Sequence, residues 1–79
     1  MRREVQLPSM GEDAGSDAKV AFWMAQEGDH IGEGDDLIEL TTDKAAFTVP
    51  SPYSGVIVER MVEEGADLEV GDIICVIET

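Results

Sequence analysis

Apolar residues in this chain come in short bursts, punctuated by glycine and aspartate at nearly regular intervals. The bursts read as strands over Glu4–Leu7, Lys19–Met24, His30–Ile31, Leu37–Thr42, Ala45–Val49, Val56–Met61, Asp67–Leu68 and Ile73–Glu78. Gly28, Gly34, Gly65 and Gly71 fall in the intervening turns, where positive φ costs glycine nothing. Pro50-Ser51-Pro52 ends the fifth strand, because proline has no N–H to donate to a ladder. No segment keeps a 3.6-residue apolar stripe long enough for a helix. Along the fourth strand, alternation sends Ile38 and Leu40 to the core and Glu39 and Thr41 to solvent; along the fifth it sends Ala45, Phe47 and Val49 inward. Of the neighbours Phe22 and Trp23, one faces the core and the other solvent. Phe22, Trp23, Phe47 and Tyr53 together are read as packing residues rather than a binding platform.

The pattern repeats. Shifted by 37 residues without a gap, Met24 meets Met61, Glu27 meets Glu64, Gly28 meets Gly65, Gly34-Asp35 meets Gly71-Asp72 and Thr42 meets Thr79. The apolar pairs Val20/Ile57, Ala21/Val58, Ile31/Leu68, Leu37/Ile74 and Leu40/Ile77 fall between them. Two copies are too few for a solenoid and each is too short to stand alone, so they must share one core. The expected fold is all-β, a flattened barrel or sandwich of two four-stranded antiparallel sheets with internal pseudo-two-fold symmetry, forming one domain over residues 1–79.

The symmetry isolates one position. Lys44 lies in the segment Glu39-Leu40-Thr41-Thr42-Asp43-Lys44-Ala45-Ala46-Phe47, at a hairpin tip, and the only other lysine is Lys19. Its symmetry mate is the gap where the two chain ends meet, which puts the lysine turn at the opposite extremity from both termini. Asp43 and Lys44 are the central residues of the turn; Asp-Lys is not the Asn-Gly signal, so a type I turn is expected over type I′. An amine there is solvated and has no neighbour that would make it a catalytic base. It suits enzymatic acylation better than packing.

Charge narrows the partners. Eighteen acidic against five basic side chains give −13, a field that repels phosphate backbones and favours basic protein surfaces. No apolar run approaches a membrane span and Met1–Val5 lacks a signal-peptide core, so a soluble protein with neither nucleic-acid nor membrane partners is expected. Cys75, the sole cysteine, sits in the apolar run Ile73–Ile77 and reads as a small buried hydrophobe, which fits a reducing compartment. His30 has no nucleophile–base spacing to Cys75, and pairs such as Asp35-Asp36 and Glu63-Glu64 read as solvated turn residues without metal-ligand spacing. No catalytic residue and no metal site is expected.

Around Lys44 the chain resembles the lipoyl domain of 2-oxo acid dehydrogenase complexes. Thr42-Asp43-Lys44-Ala45 stands where that family carries Glu-Thr-Asp-Lys-Ala, and Gly28 and Gly55 occupy its glycine positions 16 before and 11 after the lysine. Leu7-Pro8 followed by Gly11-Glu12, the turns Glu27-Gly28-Asp29 and Gly34-Asp35-Asp36-Leu37, and the exit Val49-Pro50-Ser51-Pro52 are also similar. Departures are Thr41 in place of a usual glutamate, Ala18 in place of a common glycine, and Asp13 where Gly-Glu-Gly is frequent.

The resemblance implies lipoic acid joined to Lys44 as an amide, which would take the charge from −13 to −14. Asp43 and Ala45 would be the turn flanks read by the lipoate-attaching enzyme, and Gly28 and Gly55 would be structural turn glycines. It also implies a non-catalytic swinging arm, part of a dihydrolipoamide acyltransferase. The arm would serve a thiamine-diphosphate-dependent 2-oxo acid decarboxylase, an acyltransferase core and a dihydrolipoamide dehydrogenase. The Phe47–Tyr53 stretch is nearer to pyruvate-type domains. The loop Pro8–Asp17, with Glu12, Asp13 and Asp17, would take part in partner recognition. The end at Thr79 suggests a domain excised from a longer chain, working in the cytoplasm or the mitochondrial matrix.

Two other readings stay open. A biotinyl carrier domain shares the fold, but its motif brackets the lysine with methionines, whereas Asp43 and Ala45 bracket Lys44 here. An unmodified acidic interaction module would use the same surface charge and leave Lys44 a plain turn residue.

Overall fold

The structure is a computed structural model that describes residues 1–8, 17–43 and 45–79. Among the described residues there are eight strands and no helix: β1 (Arg2–Gln6), β2 (Asp17–Trp23), β3 (His30–Ile31), β4 (Asp36–Thr41), β5 (Ala46–Pro50), β6 (Gly55–Arg60), β7 (Asp67–Glu69) and β8 (Ile73–Glu78). They form two four-stranded sheets, ordered β1-β8-β6-β3 and β5-β4-β2-β7, with every pairing antiparallel. Each sheet has one apolar face, and the two faces bury each other. Pro50 is the last residue of β5, an edge strand, where its missing N–H leaves no ladder bond unmade.

The repeat is real in three dimensions. Strands β2, β3 and β4 recur 37 residues later as β6, β7 and β8, and β8 starts 73 − 36 = 37 positions after β4. β1 is the mate of β5 at a different offset. Thr41 pairs with Ala46 where its mate Glu78 pairs with Arg2, so the shift is 46 − 2 = 44. The difference, 44 − 37 = 7, is the number of residues by which the chain between matched positions of β1 and β2 exceeds that between their mates in β5 and β6.

Hydrogen bonds obey the same operator. The Gly28 N–H donates to the Ile57 carbonyl (2.7 Å) and the Gly65 N–H to the Val20 carbonyl (2.8 Å). Met24 N–H donates to Leu37 (2.9 Å) and Met61 N–H to Ile74 (2.8 Å). Gly28 and Gly65 both hold positive φ, 92° and 89°, a backbone conformation that residues with a side chain adopt only with strain.

Strict alternation fails at four matched places. Ladders slip between Asp36 and Ile38, between Val20 and Phe22, between Ile57 and Glu59, and opposite Val5/Gln6, where β8 steps from Cys75 to Ile73. Each slip is a β-bulge that inserts an extra residue and bends the strand. Consequently Leu37 is buried as well as Ile38, and Ile74 as well as Cys75, all at 0% exposure. Full burial of one such side chain contributes roughly 1.5–3 kcal/mol. Burial also pushes the Cys75 thiol up to about 11, since the thiolate would be desolvated.

Trp23 is the inward member of its pair with Phe22. It is buried, its indole N–H donates to the Val62 carbonyl (3.0 Å), and the Arg60 guanidinium lies 5.6 Å above the ring. Phe22 is 42% exposed, which corrects its assignment to packing: it points off the outer face of its sheet. Among the described residues, no helix is long and apolar enough to cross a membrane, and no cluster of His, Cys, Asp or Glu could hold a metal ion.

Candidate functional site

The hairpin joining β4 to β5 is built by its flanks. The last ladder pair is Thr41 with Ala46, after which the Thr42 N–H donates to the Ala45 carbonyl at 2.9 Å. The Thr42 hydroxyl adds two more bonds, donating to the same carbonyl (3.2 Å) and accepting from the Ala45 N–H (3.3 Å). A threonine here takes over the amide contact that a tight turn otherwise needs from a main-chain carbonyl. Asp43 and Lys44 are the two positions so enclosed in sequence; Asp43 and Ala45 are exposed, and the placement of Lys44 itself lies outside the described residues. No described non-glycine residue has positive φ, so Asp43 does not adopt a type I′ conformation.

Inward alternation holds for Val49, which is buried, and for Phe47, which is half-buried opposite Leu40. Ala45 does not follow. It is exposed, because it belongs to the turn beyond the last ladder pair.

A primary amine between exposed Asp43 and Ala45 has the chemistry of an acyl acceptor. Lys19 is also exposed, but it sits inside β2, paired with Thr41 on one side and Asp67 on the other. An enzyme that engages a projecting turn finds no such turn at Lys19.

The other residues expected at the site fall out differently. Asp17 is not in a loop: it is the first residue of β2, exposed and opposite Glu69 of β7. Because β2 pairs with β4, Asp17 enters the sheet at its hairpin end, two residues before Lys19 meets Thr41. Glu12 and Asp13 lie outside the described residues. Gly28 is a turn glycine as expected. Gly55 is not: it opens β6, where a Cβ would run into the Glu78 carbonyl oxygen and stand 2.9 Å from Ile77 Cγ2. Its lack of a side chain permits close approach to β8.

Two acidic residues read as solvated, Glu64 and Asp35, turn out to be bonded, and so do their repeat mates Glu27 and Asp72. Glu64 Oε2 accepts from the Trp23 N–H (3.2 Å), and its mate Glu27 accepts from the Arg60 N–H (2.9 Å). Asp35 Oδ2 accepts from the Gly32 N–H (2.8 Å) and its mate Asp72 from the Glu69 N–H (2.9 Å). The identities Glu27/Glu64 and Asp35/Asp72 in the repeat were the signal for these roles.

Known proteins share this arrangement. A family model described as "Biotin-requiring enzyme" matches residues 3–77. The lipoamide acyltransferase component of the branched-chain alpha-keto acid dehydrogenase complex of Bacillus subtilis is 37% identical over 76 residues, 96% of this chain and 18% of that protein. The dihydrolipoyllysine-residue acetyltransferase component of the pyruvate dehydrogenase complex of Staphylococcus aureus is 41% identical over 78 residues, 99% of this chain and again 18% of the relative. The chain thus spans less than a fifth of the length of these relatives. Among solved structures, the lipoyl domain of the 2-oxoglutarate dehydrogenase complex of Azotobacter vinelandii superposes with a TM-score of 0.74 at 24% identity, covering 96% of this chain and 95% of that one. Urea carboxylase of Kluyveromyces lactis superposes at 0.81 with 22% identity over 99% of this chain and 6% of its own. At these identities the superpositions show the fold, the same two-sheet arrangement in both.

Proposed function

The chain belongs to the Biotin_lipoyl family, and on that premise we propose that it is a lipoyl domain whose Lys44 amine is joined to lipoic acid as an amide. The observation that carries this reading is the hairpin Thr42–Ala45, in which exposed Asp43 and Ala45 flank Lys44 in sequence, in a chain with one other, strand-bound lysine. When bound, lipoamide supplies a disulfide that can be reductively acylated and reoxidised. This chain's own part is mechanical. The three hydrogen bonds between Thr42 and Ala45 close the turn beyond the last ladder pair, so an enzyme that engages the turn need not unfold a strand.

The domain is a carrier rather than a catalyst. Tethering it raises the local concentration of the carried group at each active site it visits. The names of the relatives support a place in an acyltransferase of a 2-oxo acid dehydrogenase complex. The partners are then a lipoate-attaching enzyme, a thiamine-diphosphate-dependent decarboxylase, the acyltransferase core and a dihydrolipoamide dehydrogenase. The family is described as a biotin-requiring enzyme family, so membership does not separate lipoate from biotin; Asp43 and Ala45 beside Lys44, and relatives named for lipoamide and dihydrolipoyllysine, favour lipoate.

The test is co-expression with a lipoate ligase and, separately, a biotin ligase, followed by intact-mass measurement and peptide mapping. One lipoyl group on Lys44, absent from Lys44→Arg, is expected. Biotin on Lys44, or an unmodified chain beside a competent ligase, overturns the reading. Reductive acylation of the loaded domain with pyruvate, 2-oxoglutarate and branched-chain 2-oxo acids then identifies the complex.

A further inference from the structure

Two four-stranded sheets leave four edge strands, β1, β3, β5 and β7, and the outward N–H and C=O groups of an edge are a template for a further strand. Three of the four are blunted. β3 and β7 are two and three residues long, and β7 carries Asp67 and Glu69. β1 has five residues, but Arg2, Arg3 and Glu4 are among them. β5 also has five residues, Ala46-Phe47-Thr48-Val49-Pro50, and none is charged.

The direction of its main-chain groups follows from its two ends. Before the strand, the Ala45 carbonyl accepts from Thr42 on the β4 side. After it, Ser51 donates its N–H to the Asp35 carbonyl (2.7 Å) and accepts from the Gly34 N–H (2.8 Å), again on the β4 side. Successive residues of an antiparallel strand turn their polar groups alternately to either side, so Ala46, Thr48 and Pro50 present theirs outward. Pro50 has no N–H, which leaves Ala46 and Thr48 as the donors of the free edge. Both described flanks of residues 9–16 lie elsewhere: Leu7 bonds Gly71 and Asp72, and Asp17 pairs with Glu69 at the opposite edge.

We propose that the β5 edge takes up an extended, basic segment of an enzyme that handles the hairpin, as a fifth strand of the sheet; the inference rests on the chain being a lipoyl carrier. A second copy of this chain does not suit the edge. Two five-residue strands cover well under the roughly 1,200 Å² of a stable interface, and each copy carries −13. Carboxylates border the edge instead. Asp43 is exposed just before it, and Glu39 and Asp36 stand opposite Thr48 and Pro50; among the described residues none of the three makes an ion pair. Lysine and arginine on the incoming strand would answer that charge. Ala46 directly follows the Thr42–Ala45 turn, so a strand laid along β5 leads its owner to the turn. Bonding through the main chain is weak when only a few residues take part, and a carrier has to be released.

The test is amide hydrogen exchange of the isotope-labelled chain, alone, with the ligase that loads it and with the decarboxylase that acylates it. The Ala46 and Thr48 amides should exchange freely in the chain alone and slow about tenfold or more with at least one of the two enzymes. Phe47 and Val49, turned to β4, are the internal references. Thr48→Pro deletes an outward donor and no ladder bond, and should raise that enzyme's KM for the chain about three- to tenfold at unchanged kcat. Thr48→Val keeps the N–H and should keep the parent's KM. Exchange on the parent chain decides the matter even where Thr48→Pro fails to fold. Ala46 and Thr48 amides that exchange as fast with both enzymes as without, or a folded Thr48→Pro with the parent's KM, overturn the added strand alone. A chain left unmodified by a competent ligase overturns the lipoyl reading and the added strand with it.

Discussion

Thr42 and Thr79 make the same two hydrogen bonds at the two ends of the pseudo-two-fold. Thr42 donates its N–H and its hydroxyl to the Ala45 carbonyl at 2.9 and 3.2 Å. Thr79 donates its N–H and its hydroxyl to the Met1 carbonyl at 2.8 and 3.0 Å. The hairpin and the meeting chain ends are therefore equivalents, and elements exchanged by a two-fold lie on opposite sides of its axis. Only the hairpin has Asp43 and Lys44 between the bonded partners. Replacing the hydroxyl separates scaffold from function: Thr42→Val and Thr79→Val should each cost about 0.5–1.5 kcal/mol in urea unfolding. Only Thr42→Val should also slow lipoyl attachment, followed as the mass-shifted fraction against time.

The two glycines that flank the motif at a distance should respond oppositely to the same substitutions. At Gly28 a methyl group would meet nothing within 4 Å, so the obstacle is the φ of 92°. Gly28→Ala should cost about 1–2 kcal/mol, and Gly28→Asn less, because asparagine tolerates the left-handed region. At Gly55 the obstacle is the β8 backbone at Glu78 and the Ile77 methyl. Gly55→Ala should cost about 1–3 kcal/mol from forced displacement, and Gly55→Asn more. Denaturant midpoints of the four variants settle the order.

Glu27 and Glu64 should behave as a pair of unequal strength. Both carboxylates accept from a main-chain N–H across the axis, but Glu64 does so at the half-buried Trp23 amide and Glu27 at the exposed Arg60 amide. A hydrogen bond to a charged acceptor contributes about 1.5–3 kcal/mol when shielded and less in water. Glu64→Ala is thus expected to destabilise more than Glu27→Ala, and Trp23 fluorescence should shift to the red only in the former.

The sequence made legible what repeats and what projects. The eight described strands lie where apolar bursts and glycine punctuation put them, and the 37-residue shift foretold which strands are mates. Alternation, by contrast, cannot register a bulge: Leu37 beside Ile38 and Ile74 beside Cys75 look like one inward and one outward residue until the ladder slip turns both inward. The family resemblance implied a turn glycine at Gly55, whereas its reason is a main-chain approach from β8, 23 residues away in sequence. Asp17 read as loop because the charge pattern does not mark the start of β2; its partner Glu69 comes from the other half of the chain. At the hairpin, Lys44 was singled out by its motif, while the role of Thr42 was visible only as an unexplained identity with Thr79.

Cys75 gives the fold a defined alkaline limit. In the folded chain its thiol is pushed from 9.0 up to about 11, because burial would leave a thiolate unsolvated. Below pH 9 the thiol is protonated in both states and contributes no pH dependence. As pH rises from 9 to 11 the unfolded chain releases the proton while the folded chain retains it, so unfolding is favoured by about 2–3 kcal/mol over that interval. Urea midpoints at pH 8 and pH 11 should therefore separate by more in the parent than in Cys75→Val, which has nothing to titrate at that position. Equal separations would mean that the folded chain ionises this thiol as readily as the unfolded one, and that burial does not hold the proton on.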